Sequence, residues 1–255
     1  KTLFTSTTGM KTATFNYTPA TDGGIYLQVT QVGMTDIDIY PTSESSTLLT
    51  GFRNAAKSFG CIRFMDAQKT NNNTEARSVA TPETHRSFAA AQNGISPESI
   101  AEICNSLMCD AWVCIPVGAP DEYVVDFATR LKARLSSTLA VYVEFSNEMW
   151  NGQFSQARYF GADYNTNWKA AQARGTRVIN LFKNTYGSQC VRVVATQSAN
   201  YGTATSALDV AKANGGCDAL AIAPYFGGDA KSIGELGAAV QSAIKDMNAN
   251  LQIAK

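Results

Sequence analysis

Two rhythms of apolar and polar side chains run along the chain. Up to about residue 45 they alternate singly, as in Thr12–Thr18, Ile25–Thr30 and Ile37–Tyr40, with turn chemistry at Asp22-Gly-Gly24 and Val32-Gly33. A period of two is that of strands with one face buried, so residues 1–45 predict a small antiparallel β region. From residue 46 the period lengthens to that of a helix and is interrupted by short runs of β-branched and aromatic residues. Helices are predicted near Ser46–Ser58, over Pro97–Leu107, Asp121–Arg134, Trp168–Thr185, Thr203–Asn214 and Ile233–Asn248. Between them fall strands at Cys61–Asp66 and Asp110–Ile115, and strands that begin at Leu139, Val191 and Ala219. Ser96-Pro-Glu-Ser99 and Pro120-Asp-Glu-Tyr123 fix two helix starts, since their polar groups reach free amides and their acids meet the positive end of the dipole.

Helix and strand in alternation build a parallel sheet with helical crossovers. The fold class predicted is α/β of the (β/α)8, TIM-barrel type, with residues 46–255 as a partial barrel after the β-rich segment 1–45. Five parallel strands are counted where a closed barrel has eight. An open doubly wound sheet is the other solution, but no Gly-rich turn follows the first parallel strand. A partial barrel would expose two sheet edges, so the expectation is that these residues work within further sequence of the same polypeptide or with an assembly partner.

Charge and composition narrow the ligand. The chain has 21 Lys and Arg against 21 Asp and Glu, a formal net charge of zero. No basic face for nucleic acid is expected, and no apolar run approaches the ~20 residues of a membrane span. A neutral ligand fits better. His85 is the single histidine, and the spacing of Cys61, Cys104, Cys109, Cys114, Cys190 and Cys217 matches no zinc pattern, so neither a metal nor a cofactor is expected. Cys190 and Cys217 each precede a strand, and if those strands are parallel neighbours the two lie within disulfide reach. Cys61 and Cys109 also stand before strands, with Cys104 competing for Cys109. The sequons at Asn16 and Asn72, with the cysteines, point to a glycosylated, secreted, extracellular protein.

The most informative stretch is Leu139–Asn151, where a β-rich run ends in Asn147-Glu148 followed by Trp150 and Asn151. In a parallel barrel the ends of strands carry the chemistry, so Asn147 and Glu148 would face a cleft floored by Trp150. With Ile62–Asp66, Thr70-Asn71, Gly94–Asn105, Asp110–Pro116, Ala119–Tyr123, Phe154 and Gln156, the set resembles secreted (β/α)8-barrel proteins similar to the clan-A retaining glycoside hydrolases, a cellulase-like group also described as cellulose-binding. The resemblance implies Glu148 as general acid/base, Asn147 as a sugar-hydroxyl partner, Tyr225 at a later strand end beside the nucleophile, and Arg63 with Asp66 as a charged pair lining the cleft, for which an ion pair holding barrel strands together is an equal alternative. The seventh-strand nucleophile of such enzymes has no counterpart here. Glu144 shares the parity of Glu148 and is read as a deeper, structural carboxylate. Trp168 reads as packing.

Two functions follow as expectations. One is a retaining glycoside hydrolase-like protein acting on a β-linked polysaccharide or glycan, with Glu148 as proton donor. The other is a non-catalytic carbohydrate-binding or structural module of an extracellular matrix, wall or filament.

Overall fold

A computed structural model describes residues 50–82, 93–161, 164–225 and 232–254. The β-rich segment, Asn16 and His85 lie outside these residues. The chain divides into two units, Lys1–Ala55 and Ala56–Lys255. The first contributes most of α1 (Thr50–Ala56). The second holds β1 (Cys61–Arg63), α2 (Pro97–Leu107), β2 (Asp110–Ile115), α3 (Asp121–Arg134), β3 (Val141–Phe145), a 3-10 turn (Gln156–Arg158), α4 (Tyr164–Tyr186), β4 (Cys190–Ala195), α5 (Tyr201–Ala213), β5 (Ala219–Ala221) and α6 (Ile233–Ala254).

The five strands form one all-parallel, curled sheet in the order β1-β2-β3-β4-β5. Each strand pairs with its sequence neighbour, so the order never reverses and the switch point of a doubly wound sheet is missing among the described strands. What the sheet establishes is the α/β half-barrel; a closed eight-stranded barrel is not among its described features.

Strand parity sorts the side chains. In β3, Val141, Val143 and Phe145 join the core with Ala111, Val113 and Ile115 of β2, while Glu144 pairs in register with Cys114 on the other face. The core continues into Ile100 and Cys104 of α2, Phe127 and Leu131 of α3, and Val178, Ile179 and Phe182 of α4. Close approach of α4 to β3 depends on Gly175, where a Cβ would stand 2.9 Å from the Phe145 ring. Trp168 is buried, with its indole nitrogen 3.2 Å from Ser206 Oγ, as the packing reading expects.

Local chemistry sets the helix ends. Ser96 Oγ accepts from Ser99 N at 3.2 Å at the start of α2, and Asn200 Oδ1 accepts from Thr203 N at 3.3 Å at the start of α5. Ion pairs then lace helix to helix: Arg130 of α3 holds Glu98 of α2 at 2.7 Å, and Asp121 of α3 takes Arg174 and Arg177 of α4.

Before β5, Asp218 accepts from Arg192 at 2.7 Å and from Lys183 at 2.8 Å. Arg192's hydrogen bond, outweighing the cost of burial and reinforced by Lys183, holds the Asp218 carboxyl well below the usual carboxylate range. A depressed folded-state value means that the unfolded chain takes up the proton first. The stabilisation is therefore complete above about pH 5 and lost as pH falls through the folded value. Asp218→Asn is expected to cost about 1 kcal/mol at pH 7 after solvent screening, and less at pH 3. Urea unfolding at the two pH values checks this; an equal loss at both would remove the ionic account.

Candidate functional site

The site is built where β3 stops. Ser146 N donates to Ile115 O at 2.8 Å, continuing the ladder by one residue, and the chain then turns sharply through left-handed φ values at Ser146 (59°) and Glu148 (43°). Non-glycine residues avoid this region unless their surroundings compel it, and such strain gathers at functional positions. The turn buries Asn147 and leaves Glu148 half-buried at the strand end.

Two donors hold Glu148. Asn151 Nδ2 donates to its Oε2 at 3.0 Å, and the Tyr225 hydroxyl donates to its Oε1. Tyr225 stands four residues after β5, following a third left-handed residue, Ala223 (φ 41°), and is 74 % exposed. The hydrogen bond to Glu148, with burial adding, pushes the Tyr225 phenol up to about 12, so it remains a donor throughout the neutral range.

Beneath them lies an ionic floor. Arg63 donates from Nε to Glu144 Oε2 at 3.0 Å and from Nη2 to Glu144 Oε1 at 2.9 Å, and the same Nη2 reaches Asn147 Oδ1 at 3.1 Å. Trp112 Nε1 donates to Glu144 Oε2 at 2.9 Å, and the guanidinium lies 5.6 Å from the Trp112 ring centre. Burial pushes the Glu144 carboxyl up, opposed by Arg63 and then Trp112, and burial also drives the neighbouring Cys114 thiol well up.

An amide network fixes Asn147 from the other side. Its Nδ2 donates to Asn71 Oδ1 at 3.1 Å, and Gln156 Nε2 donates both to Asn71 Oδ1 at 2.7 Å and to Asn147 O at 2.9 Å. Gln156 Oε1 accepts from Asn72 N at 2.8 Å, and Asn72 Oδ1 accepts from Ser155 N at 3.2 Å. Gln156 is fully buried and ties the loop after β1 to the loop after β3. Sequence reasoning placed Asn71 and Gln156 within motifs but gave them no role; a buried glutamine between two loops is the one trace it leaves.

The loop carrying Asn71 and Asn72 rests on Gly118, where a Cβ would meet Glu75 O at 2.3 Å. Gly118→Ala is expected to destabilise by about 2 kcal/mol through backbone displacement. It should also raise amide exchange across residues 71–77; unchanged exchange there would separate the loop from Gly118.

The structure therefore brings together Glu148, Asn147, Tyr225 and Arg63. Asp66 does not join them. β1 ends at Arg63, Asp66 falls in the exposed turn after it, and Arg63 takes Glu144 as its ionic partner. The cleft-lining Arg63–Asp66 pair is thus corrected to a floor-forming Arg63–Glu144 pair. Trp150 is half-buried against the core. A narrow crevice between β3, β4 and α4 has Glu148 among its lining residues, beside Gln172, Thr176 and Val194. Asn72 is exposed. Cys190 and Cys217 are not bridged, and all six cysteines are free thiols. Val193 pairs with Ala219, so the register carried back sets Cys217 opposite Val191, one residue out of step with Cys190.

Comparison of the chain with protein-family models, curated proteins and solved structures finds no match. The resemblance to clan-A retaining glycoside hydrolases is overturned by that finding. Its motifs are short and cluster at strand ends, where any parallel sheet must exchange apolar for polar residues, so they carried less family information than their order suggested.

Proposed function

We propose that the strand ends around Glu148 bind a β-linked polysaccharide or glycan, with Glu148 as the proton donor to a glycosidic oxygen. The observation that carries this reading is the suspension of one accessible carboxylate between Tyr225 and Asn151, above an immobilised Asn147. A sugar offers many weak hydroxyl donors and acceptors, and a rigid set of amide, phenol and carboxylate groups at a strand end suits such a ligand. In this reading the five strands are part of a (β/α)8 barrel whose carboxyl-terminal face is the functional one. The exposed Asn72 sequon supports an extracellular, glycosylated setting.

One observation favours the non-catalytic, carbohydrate-binding alternative. Retaining hydrolysis uses a second carboxylate ~5 Å from the acid. The other carboxylate of β3, Glu144, is buried and spent on Arg63 and Trp112. The test is titration of the protein with a panel of β-linked oligosaccharides, with release of reducing ends followed in parallel. Tyr225→Phe is expected to weaken binding about 5-fold, the worth of one hydrogen bond. Binding with no reducing ends selects the binding module, and no binding anywhere on the panel ends the glycan reading.

A further inference from the structure

Three cysteines gather at the opposite, amino-terminal end of the sheet, away from Glu148. Cys61 opens β1, Cys109 immediately precedes β2, and Cys104 lies in the last turn of α2. The helix ends at Met108 with a left-handed φ of 54°, which folds the chain back so that Cys109 N donates to Cys104 O at 3.2 Å. This bond closes a helix C-terminal turn. It keeps the two Cα atoms within ~7 Å of each other, close to the span a disulfide bridges. Both residues are buried, 0 % and 1 % exposed, and the Cys104 thiol is directed at the start of β2, where its Sγ donates to Asp110 O, the carbonyl next to Cys109, at 3.8 Å.

We propose that Cys104 and Cys109 form a disulfide across the end of α2 when the chain folds in the presence of a disulfide oxidant. Each cysteine gives up its thiol proton and one electron as the S–S bond forms. One molecule of oxidised glutathione, taking up two protons and two electrons, leaves as two reduced thiols. The bond locks the helix terminus to the first residue of β2.

The alternatives fit less well. Among the described residues no three His, Cys, Asp or Glu side chains converge to hold a metal ion. Cys61 is the competing thiol, but its register partner on β2 is Asp110, one residue beyond Cys109, and it is only partly buried. Burial pushes both the Cys104 and Cys109 thiols up, so little thiolate is present at neutral pH in the folded protein. Exchange with an external disulfide is therefore slow once the core has closed, and the bond forms during folding.

The experiment refolds the full 255-residue chain from reducing denaturant into a glutathione redox buffer, traps free thiols by alkylation at low pH, and cleaves with cyanogen bromide. Cleavage after Met65, Met108 and Met149 places Cys61, Cys104 and Cys109 on separate fragments. The fragments 66–108 and 109–149 are expected to stay joined until reductant is added, with tandem mass spectrometry locating the link at Cys109 rather than Cys114. The oxidised protein should melt about 4–8 °C above the reduced one, as closure of so short a loop implies. Cys104→Ser or Cys109→Ser should abolish both effects and Cys61→Ser neither. Two alkylated thiols at 104 and 109 in the wild-type refolded protein, or Cys109 joined to the Cys61 fragment, would overturn the proposal without recourse to any variant.

Discussion

Replacing Arg63 with alanine is expected to cost about 3 kcal/mol of folding stability, a fall in Tm of about 6–12 °C, because it strands a buried carboxylate. Glu144 is 2 % exposed and takes two hydrogen bonds from Arg63, leaving, among the described residues, Trp112 Nε1 and the weak Cys114 thiol as donors after the substitution. Either the charge stays without its counter-ion or Glu144 takes a proton, and both routes lower stability at neutral pH. Arg63 is itself one-third exposed, which places the cost at the lower end for a broken buried pair. Pairing Arg63→Met with Glu144→Gln should recover most of the loss, since neutral side chains of similar volume need no counter-ion. The same substitution removes the donor to Asn147 Oδ1, so the strand end carrying Glu148 should loosen even where the fold survives. Denaturant unfolding of the single and double variants decides it: a double variant no more stable than Arg63→Ala would show that packing, not charge, is what Arg63 supplies.

Legibility in the sequence followed the range of the interactions concerned. α2, β2 and α3 have the limits expected, since Ser96, Pro97, Pro120 and Asp121 act on their own neighbours. β1 was expected to reach Asp66 but ends at Arg63, because Gln68 N turns back to Phe64 O and closes the strand. That turn places Asp66 in an exposed position beyond the strand. For Cys190 and Cys217 the strand order was readable and the register was not: the register carried back from β4 and β5 sets Cys217 opposite Val191, one residue from Cys190. Glu148 was legible as an acid at the end of an apolar strand. Its supports were less so, since Arg63 meets Glu144 across 81 residues and Gln156 meets Asn71 across 85. No local pattern encodes contacts of that span.

On the hydrolytic reading, Glu148→Gln is expected to lower turnover of a β-linked substrate by about 10²- to 10⁴-fold while leaving affinity within a few-fold. A glutamine keeps the shape and one acceptor oxygen, so Tyr225 can still donate to it. Its amide nitrogen would then face Asn151 Nδ2, donor against donor, and Asn151 must rotate to offer its oxygen instead, giving up the exposed bond that this oxygen accepts from Gln153 N. The exchange costs little in binding but removes the ionisable group, the signature of a residue that acts through its proton. Tyr225 provides a control for pH. With its phenol pushed up to about 12, an alkaline limb in the rate near neutrality cannot be assigned to it. A variant with full turnover removes Glu148 from the chemistry. Loss of affinity by more than 100-fold, with no turnover in either protein, makes the carboxylate a hydrogen-bond acceptor for sugar hydroxyls and the protein a binding module.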